Sequence, residues 1–180
     1  MQRLVKIIED LECSPYFLDH LTKSQKEQKT IVAAFQKELY QELFIGFGGV
    51  SWYREMTPSE ISGDSVDIYA ECDDYVIAIE LDKHRADQVA KKFVSRMAIM
   101  PTKKIYYISL CYPGTKSMSK PECIKYFGYC NNLAERMKNN IWVSLLNPKH
   151  NKTSKTAVLP HSSDFLKEAK SHVYKFRPLK

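Results

Sequence analysis

The sequence predicts an α/β protein with a central mixed β-sheet flanked by helices, and three observations carry that prediction. Residues 65–82 alternate with the period of a strand and turn back once. Two segments, 24–44 and 85–97, repeat their apolar residues at helical spacing. A third, "KKIYYISLCY" (103–112), is a continuous apolar run bounded by breakers, the pattern of a strand covered on both faces.

In "SQKEQKTIVAAFQKELYQELF" (24–44), Ile31, Phe35, Leu39 and Leu43 fall on one side of a helix, and Glu27, Lys37, Glu38 and Gln41 fill other positions. The helix stops at "GFGG", where glycine permits backbone angles that end a helix. These glycines follow a helix, whereas a phosphate-cradling loop needs strand then helix, so they read as a turn. "VSWYREM" (50–56) reads as a first strand and "TPSEISGD" as a loop. The hairpin follows. "RADQVAKKFVSRM" then sets Ala86, Val89, Ala90, Phe93 and Met97 on one helical side. Strand, helix, strand makes a βαβ unit, with its two strands parallel and its helix on the sheet. Beyond Pro113 the pattern gives a helix over 121–139, a strand "IWVSLL", a basic loop "NPKHNKTSKT" and a last helix over 163–175. The result is one domain over 1–180: an α-β-β-β-α-β core over 24–112 and an extension over 113–180.

Composition narrows the function classes. Apolar residues make up 44% and charged residues 27% of the 180, as in an ordinary globular domain. No stretch approaches the roughly 20 apolar residues that span a bilayer. "MQRLVKIIEDLEC" carries acids where a secretory leader needs an unbroken apolar stretch, which places the chain in the cytoplasm. The 27 Lys and Arg exceed the 21 Asp and Glu, giving a formal charge of +6 that favours polyanionic partners. Cys13, Cys72, Cys111, Cys123 and Cys130 form no CxxC pair, so free thiols are expected, not a disulfide framework or a zinc site. The five histidines, His20, His84, His150, His161 and His172, accompany no local nucleophile motif.

The hairpin carries the chemistry. "VDIYAEC" and "YVIAIEL" are joined by Asp73 and Asp74, and a two-residue loop there sets Asp67 opposite Glu80. Both acids then share a face with Tyr69, Glu71, Val76 and Ala78, while Val66, Ile68, Ala70, Ile77 and Ile79 line the other. Like charges directly opposed in a ladder are destabilising, so a compensating charge is required. A lysine or arginine would supply one; a hard divalent cation taking oxygen ligands would supply another.

With Asp67 in "SVD" and Glu80 in "IELD", thirteen residues on, this region resembles the PD-(D/E)XK, or restriction-endonuclease-like, nuclease superfamily. In that superfamily an Asp on one strand and an acid-x-Lys tripeptide on the next gather Mg²⁺ beside a scissile phosphate. The resemblance covers 24–112, about half the chain. It implies a divalent-metal-dependent endonuclease, restriction-type and acting on DNA in preference to RNA, with Mg²⁺ (Mn²⁺ substituting) held by Asp67, Glu80 and the Leu81 carbonyl. A homodimer is implied for cutting two strands. The first helix is the region from which some relatives add another acid, here Glu38 or Glu42.

One departure stands out: Asp82 occupies the place of the family's Lys, and Lys83 points to the other face of an extended strand. Asp82 is then a third carboxylate, or Lys91 or Lys92 reaches in from the following helix, or the chemistry has been lost. On that helix Gln88, Lys91 and Ser95 lie opposite the apolar face, and Arg85, Lys92 and Arg96 form a basic row on the flank. Arg85, Gln88 and Arg96 are therefore expected on phosphates. The rival readings are a non-catalytic nucleic-acid-binding or assembly module with a degenerate site, and a metal-independent hydrolase using Cys or Ser with His.

Overall fold

The computed structural model describes residues 1–60, 63–83, 85–112, 120–137, 141–146 and 174–176. In chain order these form α1 (Gln2–Asp10), α2 (Ser14–Phe17), a 3₁₀ turn (His20–Thr22), α3 (Gln25–Gly46), β1 (Ser51–Met56), β2 (Val66–Glu71) and β3 (Tyr75–Asp82). Then come α4 (Ala86–Ile99), β4 (Lys104–Cys111), α5 (Lys120–Arg136), β5 (Ile141–Leu146) and β6 (Tyr174–Phe176). The α-β-β-β-α-β order expected over 24–112 is the order from α3 to β4.

Local chemistry explains the longest helix. Ser24 opens α3 with a capping box: its hydroxyl accepts from the Glu27 amide at 3.3 Å, and the Glu27 carboxylate accepts from the Ser24 amide at 2.8 Å. The four-residue repeat buries Phe35, Leu39 and Leu43. The helix ends as the Phe47 amide reaches the Leu43 carbonyl, and Gly49 takes the left-handed φ of +82° that the turn into β1 requires. α1 crosses α3 closely at Gly46, where a Cβ would stand 2.7 Å from the Ile7 side chain.

The strands follow one another across the sheet, β1-β2-β3-β4-β5-β6. β1, β2 and β3 run antiparallel as a meander; β3, β4, β5 and β6 are mutually parallel. Parallel neighbours need a crossover, and α4 makes the one between β3 and β4. Alternation along the strands then sorts side chains into two cores. Ile68, Ala70, Ile77, Ile79 and Ile108 face α1, α2 and α3, meeting Leu4, Phe17, Phe35 and Leu39. Tyr69, Val76, Ala78 and Tyr107 face α4 and α5, meeting Val89, Phe93 and Phe127. All five cysteines are free thiols, with Cys111, Cys123 and Cys130 buried.

Two expectations are corrected. Val66 packs in the α4 core with Tyr69, not with Ile68 and Ala70, because alternation breaks beside Glu55. Of the helix expected over 163–175, residues 163–173 lie outside the described residues, and Tyr174–Phe176 is a strand, paired with β5 through Ser144, Leu145 and Leu146. The basic loop from Lys149 also lies outside them. No helix among the described residues is long and apolar enough to cross a membrane.

Leu39 is wholly enclosed between α3 and the sheet, so Leu39→Ala is expected to lower the unfolding free energy by about 2–5 kcal/mol. Ile45→Ser, at a side chain 79% exposed, should change it by no more than about 0.5 kcal/mol; urea denaturation of both variants checks the contrast.

Candidate active site

The hairpin turn at Asp73 and Asp74 fixes the site's geometry. The Cys72 amide donates to the Tyr75 carbonyl at 3.0 Å, and the pairs Glu71–Val76, Tyr69–Ala78 and Ile68–Ile79 follow in the expected register. There the ladder stops. Hydrogen-bonded pairs alternate along an antiparallel ladder, so the next one would join Leu81 to Val66. Instead the Leu81 amide donates to Asp67 Oδ2 at 2.6 Å. On the other side, the β1–β2 register passes from Arg54–Ile68 to Met56–Val66 without a Glu55–Asp67 pair, and Glu55 holds a left-handed φ of +51°. At Asp67, then, β2 parts from β3 and skips one pair with β1, rejoining it at Met56–Val66.

The acids converge on one cation from α4. Lys92 Nζ lies 2.7 Å from Glu80 Oε2, 3.1 Å from Asp82 Oδ1 and 3.7 Å from Asp67 Oδ2. The Glu80 contact is the shortest of the three. Arg96 Nε donates to Glu80 Oε1 at 2.7 Å, and its Nη1 pairs with Asp64 at 3.0 Å. Ser109, opposite Glu80 in the parallel β3–β4 register, donates its hydroxyl to Asp82 Oδ2 at 2.6 Å. Glu80 is 0% and Asp82 2% exposed, whereas about a quarter of the Asp67 and Lys92 side chains meets solvent. The cluster therefore has a dry floor and an open mouth.

Burial sets the titration behaviour. It pushes the Glu80 carboxyl up to about 7, with Lys92 opposing the shift and Asp67 adding to it. Burial alone would lower the Lys92 ammonium, but Asp82, Glu80 and Asp67 outweigh it and raise its pKa, so Lys92 stays charged at neutral pH. Tyr107, beneath the same acids, is driven well above the ordinary phenol range, chiefly by burial, and its hydroxyl has no hydrogen-bond partner among the described residues.

Of the residues expected at the site, Asp67, Glu80, Asp82 and Lys92 come together, with Leu81 present through its amide. Others do not. Lys91 is exposed and outside the cluster. Arg96 is not a free phosphate contact: it is buried and holds Glu80 and Asp64, because the acids draw the helix flank inward. Arg85 is exposed but clamps Asp87 at 2.9 and 2.8 Å, keeping that carboxyl down at about 2, and Gln88 also donates to Asp87. Glu38 accepts from Tyr16, Glu42 is exposed, and His84 lies outside the described residues. Sequence reasoning missed Asp64, Gln36 and Ser109, although Ser109 interrupts an apolar run and so carried a signal.

Among the described residues no three His, Cys, Asp or Glu side chains form a metal-ligand group. Comparison with known proteins places the chain beside none of them: no family model, no curated protein and no solved structure matches.

A raised carboxyl pKa has a definite sign in stability. Between about pH 4.5 and 7 the folded protein keeps a proton on Glu80 that the unfolded chain has released. The contribution is complete below pH 4.5 and is lost as pH rises through 7, on the order of 3 kcal/mol in all. In metal-free buffer the protein is expected to be less stable at pH 8 than at pH 5 by part of that amount, and Glu80→Gln to flatten the difference, as read by denaturant titration.

Proposed function

We propose that this chain is a divalent-metal-dependent phosphodiesterase, an endonuclease of the restriction-endonuclease-like type acting on DNA. The observation that carries the reading is the convergence of Asp67, Glu80 and Asp82 on Lys92 at the point where β2 parts from β3 and its pairing with β1 is interrupted. The resembling family keeps its lysine two residues after the second acid, where this chain has Asp82. Lys92 brings an ammonium to the same carboxylates from α4, which supports the reading that the lysine has moved and its role has stayed.

The donor chemistry fits Mg²⁺ or Mn²⁺. Mg²⁺ is usually held by one or two carboxylates completed by waters and substrate phosphate, not by an all-protein cage, so Asp67 and Glu80 would suffice, with the Leu81 carbonyl the further ligand that the resemblance implies. Charge fits as well: with Glu80 ionised, as it would be when bound to an ion, four carboxylates, Asp64, Asp67, Glu80 and Asp82, against Lys92 and Arg96 leave two negative charges. When bound, the ion would supply Lewis acidity and a more acidic water. The protein's residues do the rest. Asp67, at the mouth, would hold the ion on the side open to the phosphodiester; Glu80, held by Arg96, is the fixed floor. Asp82, anchored by Ser109, aims Lys92, whose charge stabilises the phosphoryl oxygens as water forms its bond to phosphorus and the bond to one sugar oxygen breaks, that oxygen taking a proton from solvent and leaving as an alcohol. The excess of basic residues over the whole chain favours the polyanionic substrate, and a homodimer would allow both strands to be cut.

A second reading, a nucleic-acid-binding or assembly module without catalysis, is favoured by one observation: Lys92 and Arg96 already contact both carboxylate oxygens of Glu80. Incubation of the protein with supercoiled plasmid and Mg²⁺ or Mn²⁺ separates the two. Nicking is expected, abolished by chelation and reduced at least 100-fold by Asp67→Asn, Glu80→Gln or Lys92→Met. No cleavage of DNA or RNA, or full activity in those variants, rejects the enzyme. DNA binding with a steep salt dependence and no calorimetric divalent-ion site selects the module.

Lys92→Met also tests the electrostatics directly. Leaving buried carboxylates without their cation is expected to cost about 3 kcal/mol in chelator, and millimolar Mn²⁺ should restore part of the loss in thermal denaturation.

A further inference from the structure

We propose that Gln36 is a positioning residue for Asp67, acting on the site from α3, the helix on the opposite face of the sheet from Lys92; this rests on reading Asp67 as a ligand of the phosphodiesterase site. Gln36 Nε2 donates to the Asp67 backbone carbonyl at 2.7 Å and to Glu55 Oε1 at 2.6 Å. Both amide hydrogens are therefore used, and both acceptors are oxygens that donate nothing in return. A flipped amide would set its oxygen against a carboxylate and a carbonyl, so the orientation is determined by its surroundings. Glu55 is itself held: Ser65 donates to its Oε2 at 3.2 Å, and its left-handed backbone marks the interruption in the β1–β2 ladder.

The interruption explains why a brace is needed. Asp67 is the residue at which β2 gives up its regular pairing with β1 and with β3, so ladder geometry no longer fixes its peptide plane. Its carboxylate must nevertheless point at the Leu81 amide and the Lys92 ammonium. Gln36 pins the carbonyl side of the residue, Leu81 pins the carboxylate side, and together they fix the direction in which Asp67 presents its remaining oxygen. Glu55 contributes by holding the glutamine amide, not by touching the site.

Gln36→Leu removes both donors at similar size, and Gln36→Asn keeps the chemistry but is too short to reach both acceptors. Hydrogen exchange of individual backbone amides is measured in each variant without metal, and Mn²⁺ dependence and KM for plasmid DNA are measured in parallel. The expected result is at least tenfold faster exchange at Leu81, with Ile79 and Ile108 unchanged, and a tenfold rise in half-saturating Mn²⁺ at a KM within twofold of wild type. Unchanged exchange at Leu81, or equal acceleration at all three amides, overturns the proposal. Should Gln36→Leu fail to fold, Gln36→Asn decides by the same criteria. If the wild-type protein cleaves nothing, the phosphodiesterase reading fails on its own account, and the exchange at Leu81 still decides whether Gln36 positions Asp67.

Discussion

The constraint on which the site depends is that Asp67, Glu80 and Asp82 crowd onto one face of a hairpin and must be neutralised where water is largely excluded. Lys92 answers it from α4, within 3.7 Å of all three, and Arg96 completes the shell of Glu80 one helical turn later. A buried carboxylate left uncompensated is among the costliest features a fold can carry. The placement of α4 therefore serves two ends. Val89, Phe93 and Met97 cover the sheet with apolar surface, and Lys92 and Arg96, beside them, quench its acids.

The irregularity of β2 is the counterpart of this arrangement. A regular antiparallel ladder would give the Leu81 amide to a backbone carbonyl and leave Asp67 as one more alternating side chain. By taking the amide itself, Asp67 bends away from standard pairing and turns its carboxylate toward Lys92. The two helical layers then act on one residue from opposite faces of the sheet: α3 through Gln36 on the backbone, α4 through Lys92 on the side chain.

Much of this was legible in the sequence, for physical reasons that differ by element. α3 carried a long apolar repeat, and the hairpin register followed from a two-residue turn, which leaves no freedom to slip. Counting alone thus set Asp67 near Glu80, although the paired register ends one residue short of them, at Ile68–Ile79, and Asp67 takes the Leu81 amide instead of facing Glu80 in the ladder. The direction of the basic helix flank could not, since the same row of residues serves solvent or an acidic floor, and tertiary packing chooses. That is why Lys92 was one of two candidates and Arg96 was assigned to phosphate. The break at Glu55 and Asp67 was likewise invisible, because a left-handed glutamate has no sequence signature. α1 is a different case: Leu4, Val5 and Ile8 form a readable apolar stripe in a segment considered only for what it excludes.

The clamp between α4 and the hairpin has a consequence for cooperativity. Were the helix to lift away, the sheet would lose its apolar cover and also strand three carboxylates with no counter-charge, an electrostatic penalty added to the hydrophobic one. Partial opening at this crossover therefore carries both costs at once, which favours the strands from β2 to β4 and the helix between them opening together. The charges that shape the pocket also rivet the chain's central connection.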